Sequence, residues 1–450
     1  MSGVVSSARR REVIDALRRG TVPQAGLDLF AVGLDRFTNA IDGELSTIGS
    51  GGAVFKAVRG EYGSGKTFFA RWLAERAKRR GMAVSEIQIS ETETPLHRLE
   101  TVYRRLVEQL STAAHRPSAL REIIDAWFYT LEEDVLASGD VPTGAAGAPD
   151  MDALTPAVDR LMERRLADVA RTTPAFAAAL RGYRHAHVSG DQAIAEGLIA
   201  WIGGQPGVAA SVRRAAGVKG DLDHFAALGF LQGLLTVLRD CGHPGLLVVL
   251  DETETLQRVR SDVRDKGLNA LRQLIDEIDG GRFPGLYLLI TGTPAFYDGR
   301  QGVQRLSPLA QRLATDFTVD PRFDSPRAVQ IRLTGFDIGR LGTLGTMIRD
   351  LYADGADHPE RVRDRVDDAY VAELAQAVTG GLGGQAGVAP RVFLRKLVQE
   401  VLDRVDEHEE FDPRQNYGLT ISPSDLTEVE RNAWATTQRA DRADDVEIEL

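Results

Sequence analysis

Apolar residues along the chain alternate between short strand-like runs and stretches with helical spacing. The strand-like runs lie at 53–58, 83–90, 246–250 and 286–293, and amphipathic segments separate them. Buried strands that alternate with helices are typical of an α/β fold on a parallel sheet. The run at 246–250 is wholly aliphatic, as a strand buried on both faces of such a sheet requires. The pattern therefore predicts an α/β core.

Two long helical stretches interrupt and follow this core. Residues 113–240 are predicted to be a large helical insertion, and residues 336–450 a helical lid with an acidic tail. Residues 1–112 and 241–335 are predicted to form the two parts of the α/β core. Residues 8–19 form a predicted basic amphipathic helix, which either packs on the main domain or contacts nucleic acid. Four arginines of the insertion are interpreted as a solvated face, namely Arg181, Arg184, Arg213 and Arg214.

Composition narrows the class of protein. A formal net charge of −11 argues against a protein that coats nucleic acid through bulk charge, so any such contact is expected to be local. Cys241 is the one cysteine, which excludes an internal disulfide and fits a reducing compartment. No apolar run is long enough to span a membrane, and no signal-peptide segment follows the N-terminal arginines. We therefore expect a cytoplasmic protein with no membrane contact.

A phosphate-binding loop lies between the first strand-like run and the next helix. Every fixed position of G-x-x-x-x-G-K-[ST] is matched, and strand, glycine loop and helix is the context that the motif needs. Backbone N–H groups and the helix N-terminus would bind phosphate oxygens, Lys66 would reach the β- and γ-phosphates, and the Thr67 hydroxyl would ligate Mg²⁺. The candidate ATP-binding residues are Gly60, Glu61, Tyr62, Gly63, Ser64, Gly65, Lys66, Thr67 and Phe68.

A short apolar stretch precedes this loop by about thirty residues. It ends in a glycine, and ATPases of the AAA+ type often hold the adenine in such a segment. Phe30, Val32 and Gly33 are therefore candidates for a base pocket.

Two acids end the third strand-like run in the form of a Walker B segment. Asp251 would orient a magnesium-bound water, and Glu252 would polarise the attacking water. A nucleotide switch that does not hydrolyse ATP needs Lys66, Thr67 and Asp251 but not Glu252. The acid pair thus favours turnover, and it suits water better than the acceptor hydroxyl of a metabolic kinase.

Later polar residues are candidates for sensing the γ-phosphate. Thr291 or Thr293 could do so at the end of the fourth strand-like run, and Thr293 is preferred because it stands at the strand's end. Arg305 and Arg312 are candidates for an arginine supplied to a neighbouring subunit, with Arg312 favoured. At the start of a lid helix, Arg391 is the choice for an arginine that reaches back to the phosphates, and Arg395 is the alternative.

Several of these segments, in this order, resemble a known family. They are similar to the ATP-binding proteins of bacteriophage exclusion (BREX) systems, the D component in particular. The resemblance spans nearly the whole chain in order, although 113–240 carries little of it. It is carried by Leu17–Pro23, Phe30–Gly33, Gly60–Thr67, Leu250–Glu254, Thr291–Pro294, Pro308–Arg312 and Ala389–Arg391.

The resemblance implies an AAA+-like ATPase related in architecture to initiator proteins. It would act in defence against phage DNA beside a helicase-like partner, with ATP and Mg²⁺ as cofactors and with a homo-oligomeric assembly. Initiator relatives often end in a winged helix, and no such pattern follows Arg395, so direct DNA binding is left open. The alternative function is a nucleotide-gated switch that hydrolyses slowly and mainly presents a surface.

Overall fold

The computed structural model describes residues 5–139, 141–142, 151–381 and 389–422. The chain divides into two compact units. The first unit comprises the described residues of Met1–Ala40, Val58–Glu75 and Asp316–Leu450. The second comprises the described residues of Ile41–Ala57 and Arg76–Thr315. The P-loop thus belongs to the first unit and the acid pair to the second. The acidic end of the predicted tail, 441–450, lies outside the described residues.

The first part of the chain leads from an N-terminal helix through two strands. Its 3₁₀ helix is Leu27–Leu29. The regular elements are α1 (Ser7–Arg18), α2 (Asp35–Gly49), β1 (Val54–Arg59), α3 (Lys66–Arg79), β2 (Ala83–Gln88) and α4 (Leu99–Glu108).

The stretch predicted as an insertion consists mainly of helices joined by turns and loops where it is described. Its helices are α5 (Leu120–Ser138), α6 (Met151–Arg165), α7 (Ala167–Thr172), α8 (Pro174–Ser189), α9 (Gln192–Ile202), α10 (Ala210–Ala215) and α11 (His224–Asp240). Arg184 on α8 is only 3% exposed, and it donates hydrogen bonds to Asp159 and Glu132 at 2.6 and 3.3 Å. The interpretation of Arg184 as part of a solvated face is therefore wrong, because its guanidinium ties three helices together.

The third part of the chain completes the sheet. Its elements are β3 (Leu246–Asp251), α12 (Ser261–Asp279), β4 (Leu286–Gly292), α13 (Pro294–Asp298), α14 (Ser307–Arg312) and β5 (Gln330–Arg332), with 3₁₀ helices at Thr253–Gln257, Val303–Arg305 and Pro321–Phe323.

In the last part of the chain, as far as it is described, the regular elements are helices. They are α15 (Ile338–Ala353), α16 (Pro359–Arg365), α17 (Asp368–Gly381), α18 (Ala389–Arg395), a π-helix over Lys396–Leu402, α19 (Asp403–Glu407) and α20 (Pro413–Asn416).

Within the described chain, five strands form a sheet in the order β2-β3-β4-β1-β5. The pairs β2·β3 and β3·β4 are parallel, with Gln88 opposite Asp251 and Leu250 opposite Ile290. The strand that leads into the P-loop is therefore separated from the acid-bearing strand by β4. This order, together with the P-loop between β1 and α3, confirms an α/β P-loop fold of the AAA+-like, additional-strand kind.

Helix α1 belongs to the hydrophobic core of the lid. Val13, Ile14 and Leu17 are buried in one cluster with the lid residues Phe393 and Leu397. The apolar face predicted for this helix is thus used for packing within the first unit, which favours the packing interpretation over nucleic-acid contact.

One boundary differs from the expected one. The pattern predicts a helix from Thr94, whereas α4 begins at Leu99. The hydroxyl of Ser90 accepts hydrogen bonds from the backbone N–H groups of Glu93 and Thr94, so a side-chain-capped turn replaces the first helical turn there.

Candidate nucleotide site

The loop after β1 has the backbone conformation of a phosphate cradle. Gly63 and Gly65 have φ values of +78° and +92°, which side chains disfavour. A Cβ at Gly60 would lie 2.2 Å from the Ser64 hydroxyl oxygen, so only glycine fits there. That oxygen is buried and has no hydrogen-bond partner among the described residues. The loop thus turns tightly, and its Ser64 hydroxyl group remains available to bind a ligand oxygen.

Lys66 begins α3 and folds back over the loop. Its ammonium group donates to the carbonyl oxygens of Gly60 and Glu61 at 2.9 and 3.3 Å. The same nitrogen lies 5.1 Å from the centre of the Tyr62 ring. Although Lys66 is 8% exposed, these contacts hold its charge inside the loop, where a phosphate oxygen could replace a carbonyl.

The predicted base segment lies against the start of the P-loop helix. The rings of Phe30 and Phe68 meet edge to face with centroids 5.2 Å apart. Phe336 comes within 3.9 Å of where a Cβ on Gly65 would stand, and Val32 packs partly buried on the same cluster. Gly33 has φ +80° and open space beside it. Of the base-pocket candidates, Phe30 is therefore the one whose contact with the P-loop helix is direct within the first unit.

The acid pair forms a hydrogen-bonded group with Thr291 at the carboxyl ends of β3 and β4. The Thr291 hydroxyl donates to the Asp251 carboxylate. The backbone N–H of Glu252 lies 3.1 Å from both the Asp251 carboxylate and the Thr291 hydroxyl oxygen. Of the two threonine candidates, Thr291 is thus the one that contacts the acids. Thr293 instead precedes α13 and is 4% exposed, and its role stays a prediction.

Glu252 adopts a left-handed backbone conformation, with φ 60° and ψ 42°. For a residue with a Cβ this conformation costs about 1–2 kcal/mol. Such strain is often stored where a side chain must be aimed. Its carboxylate accepts a 2.9 Å hydrogen bond from the side-chain amide of Gln88.

Sequence reasoning missed Gln88. The signal was available, because Gln88 is the last residue of β2 and lies opposite Asp251 in the parallel register. A polar residue at the carboxyl end of the strand next to an acid-bearing strand is a candidate for contact with that acid.

The residues present fit magnesium and a nucleoside triphosphate. The Thr67 hydroxyl in the first unit and the Asp251 carboxylate in the second are each of the oxygen-ligand type that Mg²⁺ prefers. The glycine cradle and the start of the 14-residue helix α3 suit phosphate oxygens. No group of three or more His, Cys, Asp or Glu side chains suited to a metal ion occurs within 5–139, 141–142, 151–381 or 389–422.

A family model for the BREX system ATP-binding protein BrxC/D matches residues 5–421. The chain belongs to this family. ATP binding and a place in a BREX system follow from membership, and the predicted resemblance is confirmed.

Other comparisons give little more. None of the curated proteins matches the chain. The solved structure of the ORC2 protein of Aeropyrum pernix, described as ADPNP-ADP complexes, is 13% identical, and the alignment covers 89% of this chain and 78% of that one with a TM-score of 0.36.

Among the described helices of this BREX family member, none is long and apolar enough to cross a membrane.

The two arginines proposed to act on a neighbouring subunit are both held by α12. Arg312 forms an ion pair with Asp276 and donates to the Pro308 carbonyl oxygen at 2.7 Å. Arg305 is paired with Asp265, and this hydrogen bond lowers the pKa of the Asp265 carboxyl group and raises that of the guanidinium. Each guanidinium is thus engaged by a carboxylate of α12, and the choice between the two arginines stays a prediction.

Arg391 and Arg395 lie on α18, close to the turn that ends α1. A Cβ on Gly20, whose φ is +69°, would stand 3.4 Å from an Arg391 guanidinium nitrogen and 3.2 Å from the Arg395 Cδ. Both arginines are therefore within the first unit beside the N-terminal segment. Their role toward phosphate stays a prediction.

Proposed function

We propose that this BREX ATP-binding protein hydrolyses ATP to ADP and phosphate in a Mg²⁺-dependent reaction. The hydrogen-bonded group of Asp251, Glu252 and Thr291, in a chain that also carries a complete P-loop, is the observation that supports this proposal most strongly. A protein that only binds nucleotide has no use for a second acid held in a strained backbone conformation.

In the proposed reaction each residue has a separate task. The P-loop N–H groups and Lys66 hold the β- and γ-phosphates. Thr67 and Asp251 would hold a magnesium ion, which would neutralise charge that develops on the phosphates. Glu252 accepts a proton as a water oxygen bonds to the γ-phosphorus. The bond from that phosphorus to the bridging oxygen breaks, and ADP leaves with the electron pair.

The use of this turnover is the second part of the proposal. We infer that the lid arginine Arg391 and an arginine of a neighbouring copy, Arg312, complete the site, so that hydrolysis depends on lid position and on assembly. Turnover would then drive a DNA-associated or helicase-like partner of the defence system. Membership of a BREX family supports the setting of this coupling, and the partner itself would be identified by co-purification from native cells.

A specific contact also favours the alternative of a slow, nucleotide-gated switch. The hydrogen bond from Gln88 occupies the carboxylate that should activate water, so the enzyme in this conformation is restrained. A switch would bind ATP tightly, turn it over slowly and present different surfaces in its two nucleotide states.

Steady-state phosphate release, measured with Mg²⁺ and with or without duplex DNA, separates these functions. We expect turnover that DNA stimulates, and we expect the Glu252→Gln variant to lose at least about 100-fold while still binding ATP. Slow turnover unaffected by DNA would favour the switch. Turnover that survives in Glu252→Gln would refute the catalytic assignment.

A further inference from the structure

A partly buried carboxylate on the P-loop helix binds the backbone of the N-terminal segment. Glu75 lies on α3, and its side chain is 13% exposed. One of its oxygens accepts from the Gly26 N–H at 3.1 Å and from Arg9 at 2.7 Å, and the other accepts from the Leu27 N–H at 3.0 Å. Each of the two carboxylate oxygens thus accepts a hydrogen bond from one of two consecutive backbone amides in a single turn.

The turn is shaped for this contact. Gly26 has φ +81°, and a Cβ there would stand 2.7 Å from a methyl carbon of Val13, so a side chain is excluded by conformation and by space. The left-handed residue aims two successive N–H groups at a single anion. Because Arg9 supplies a positive charge to the same carboxylate, the bonds are charge-assisted.

The chain that leaves this turn is the predicted base segment. It passes through the 3₁₀ helix Leu27–Leu29 to Phe30, whose ring packs on Phe68 directly after Thr67. Glu75 lies seven residues beyond Phe68, two helical turns or about 10 Å along α3. The segment is therefore attached to the P-loop helix at two points, one polar and one aromatic.

Attachment at two points fixes an orientation, whereas one aromatic contact permits rotation and sliding. A nucleotide that binds its phosphates in the P-loop meets the base segment at a position set by α3. Because Glu75 is remote from the phosphate cradle, its influence should be confined to the base and ribose end of the ligand.

We propose that Glu75 is a positioning residue for nucleotide recognition, which holds the segment Leu27–Gly33 against the P-loop helix so that it can bind the adenine. This inference rests on the proposed ATP site. It assigns to Glu75 a share of the affinity for the base and none of the affinity for the triphosphate.

Two ligands separate the affinity for the base from the affinity for the triphosphate. The dissociation constants of Mg·ATP and of Mg·tripolyphosphate, which lacks base and ribose, are measured by calorimetry for the wild type and for Glu75→Ala. We expect the dissociation constant of Mg·ATP to rise about tenfold, since charge-assisted bonds are lost, and that of Mg·tripolyphosphate to change less than about twofold. Glu12→Gln, an exposed carboxylate change on α1, is the matched control and should alter neither.

Hydrogen exchange provides a readout without nucleotide. In Glu75→Gln the single remaining side-chain oxygen cannot accept all three bonds, so the amides of Gly26 and Leu27 should exchange faster while those in the middle of α3 do not. This variant also keeps the size of the side chain in case Glu75→Ala fails to fold.

Two outcomes overturn the inference. One is an unchanged ratio of the two dissociation constants in the Glu75 variants, whether both constants stay the same or both rise equally. The other is unchanged hydrogen exchange at Gly26 and Leu27. If the wild type itself bound tripolyphosphate but not ATP, the proposed function would fail instead, and the two failures are distinguishable.

Discussion

The side-chain amide of Gln88 restrains the carboxylate of Glu252 through a 2.9 Å hydrogen bond. Gln88 ends β2, Glu252 follows β3, and the parallel register sets them side by side. This hydrogen bond fixes the direction of the carboxylate. The carboxylate that we propose to activate water is therefore held by a residue that takes no other part in the proposed chemistry.

Removing this restraint should raise basal turnover. For Gln88→Ala we expect kcat for ATP to rise by up to about tenfold with KM unchanged, because an exposed hydrogen bond of this kind contributes about 0.5–1.5 kcal/mol. Phosphate release measures the effect. The double variant Gln88→Ala/Glu252→Gln should be as inactive as Glu252→Gln alone. A fall in kcat for Gln88→Ala would instead make Gln88 an aid to catalysis.

Thr291 connects the two acids, which gives it a testable role distinct from that of Thr293. Its hydroxyl donates to Asp251 and accepts from the Glu252 N–H. Thr291→Val keeps the shape and removes both bonds, so kcat should fall about tenfold or more while ATP affinity stays within about twofold. Thr291→Ser should retain activity. Equal losses in Thr291→Val and Thr293→Val would leave neither threonine distinguished.

The trans action of Arg312 can be tested by mixing two inactive variants. Arg312→Ala has an intact ATP site without the arginine, and Lys66→Ala has the arginine without an ATP site. Each alone should lose about 10³-fold or more of the turnover. If the arginine acts on a neighbour, the mixture should recover activity above the sum of the two. No recovery, or a larger effect of Arg305→Ala, would contradict the assignment of Arg312.

Much of the fold was predictable because its signals are local. The aliphatic run at 246–250, the glycines of the P-loop and the helical spacing of the lid each depend on neighbouring residues. The helix Ser7–Arg18 was predicted from the same kind of pattern. Its position in the lid core was not, because packing depends on residues more than three hundred positions away, such as Phe393.

The candidate site was less predictable for the same reason. Lys66 and the acid pair belong to motifs, whereas the contact between Gln88 and Glu252 depends on strand register. Thr293 stands at the strand's end in sequence, but the alternation of side chains and the position of β4 bring Thr291 to Asp251. Glu75 has no motif at all, because its partners are backbone N–H groups that any sequence possesses.

A buried ion pair next to the sheet should stabilise the second unit. Lys56 of β1 is 1% exposed and is paired with Glu44 of α2, whose carboxylate also accepts a 2.6 Å hydrogen bond from the Tyr287 hydroxyl. Lys56→Ala would leave a carboxylate largely buried without its cation. We expect the free energy of unfolding to fall by about 3–5 kcal/mol in urea denaturation.

Tyr287→Phe removes only one bond of this network and is the milder control, with an expected loss of about 1–3 kcal/mol. A loss in Lys56→Ala no larger than in Tyr287→Phe would show that the ion pair contributes little beyond its hydrogen bonds.

His97 should make the protein less stable in mild acid. Desolvation is the main cause that lowers the pKa of its imidazole, Arg98 and Lys266 add to the effect, and Glu100 opposes it. Below the unfolded value of about 6.5, the unfolded chain binds a proton that the native imidazole resists, so the free energy of unfolding falls as pH decreases. Between pH 7.5 and 5.5, urea denaturation should show a smaller fall for His97→Gln than for the wild type. His115→Gln, at an exposed position, should retain the wild-type slope, and equal slopes in all three proteins would contradict the assignment to His97.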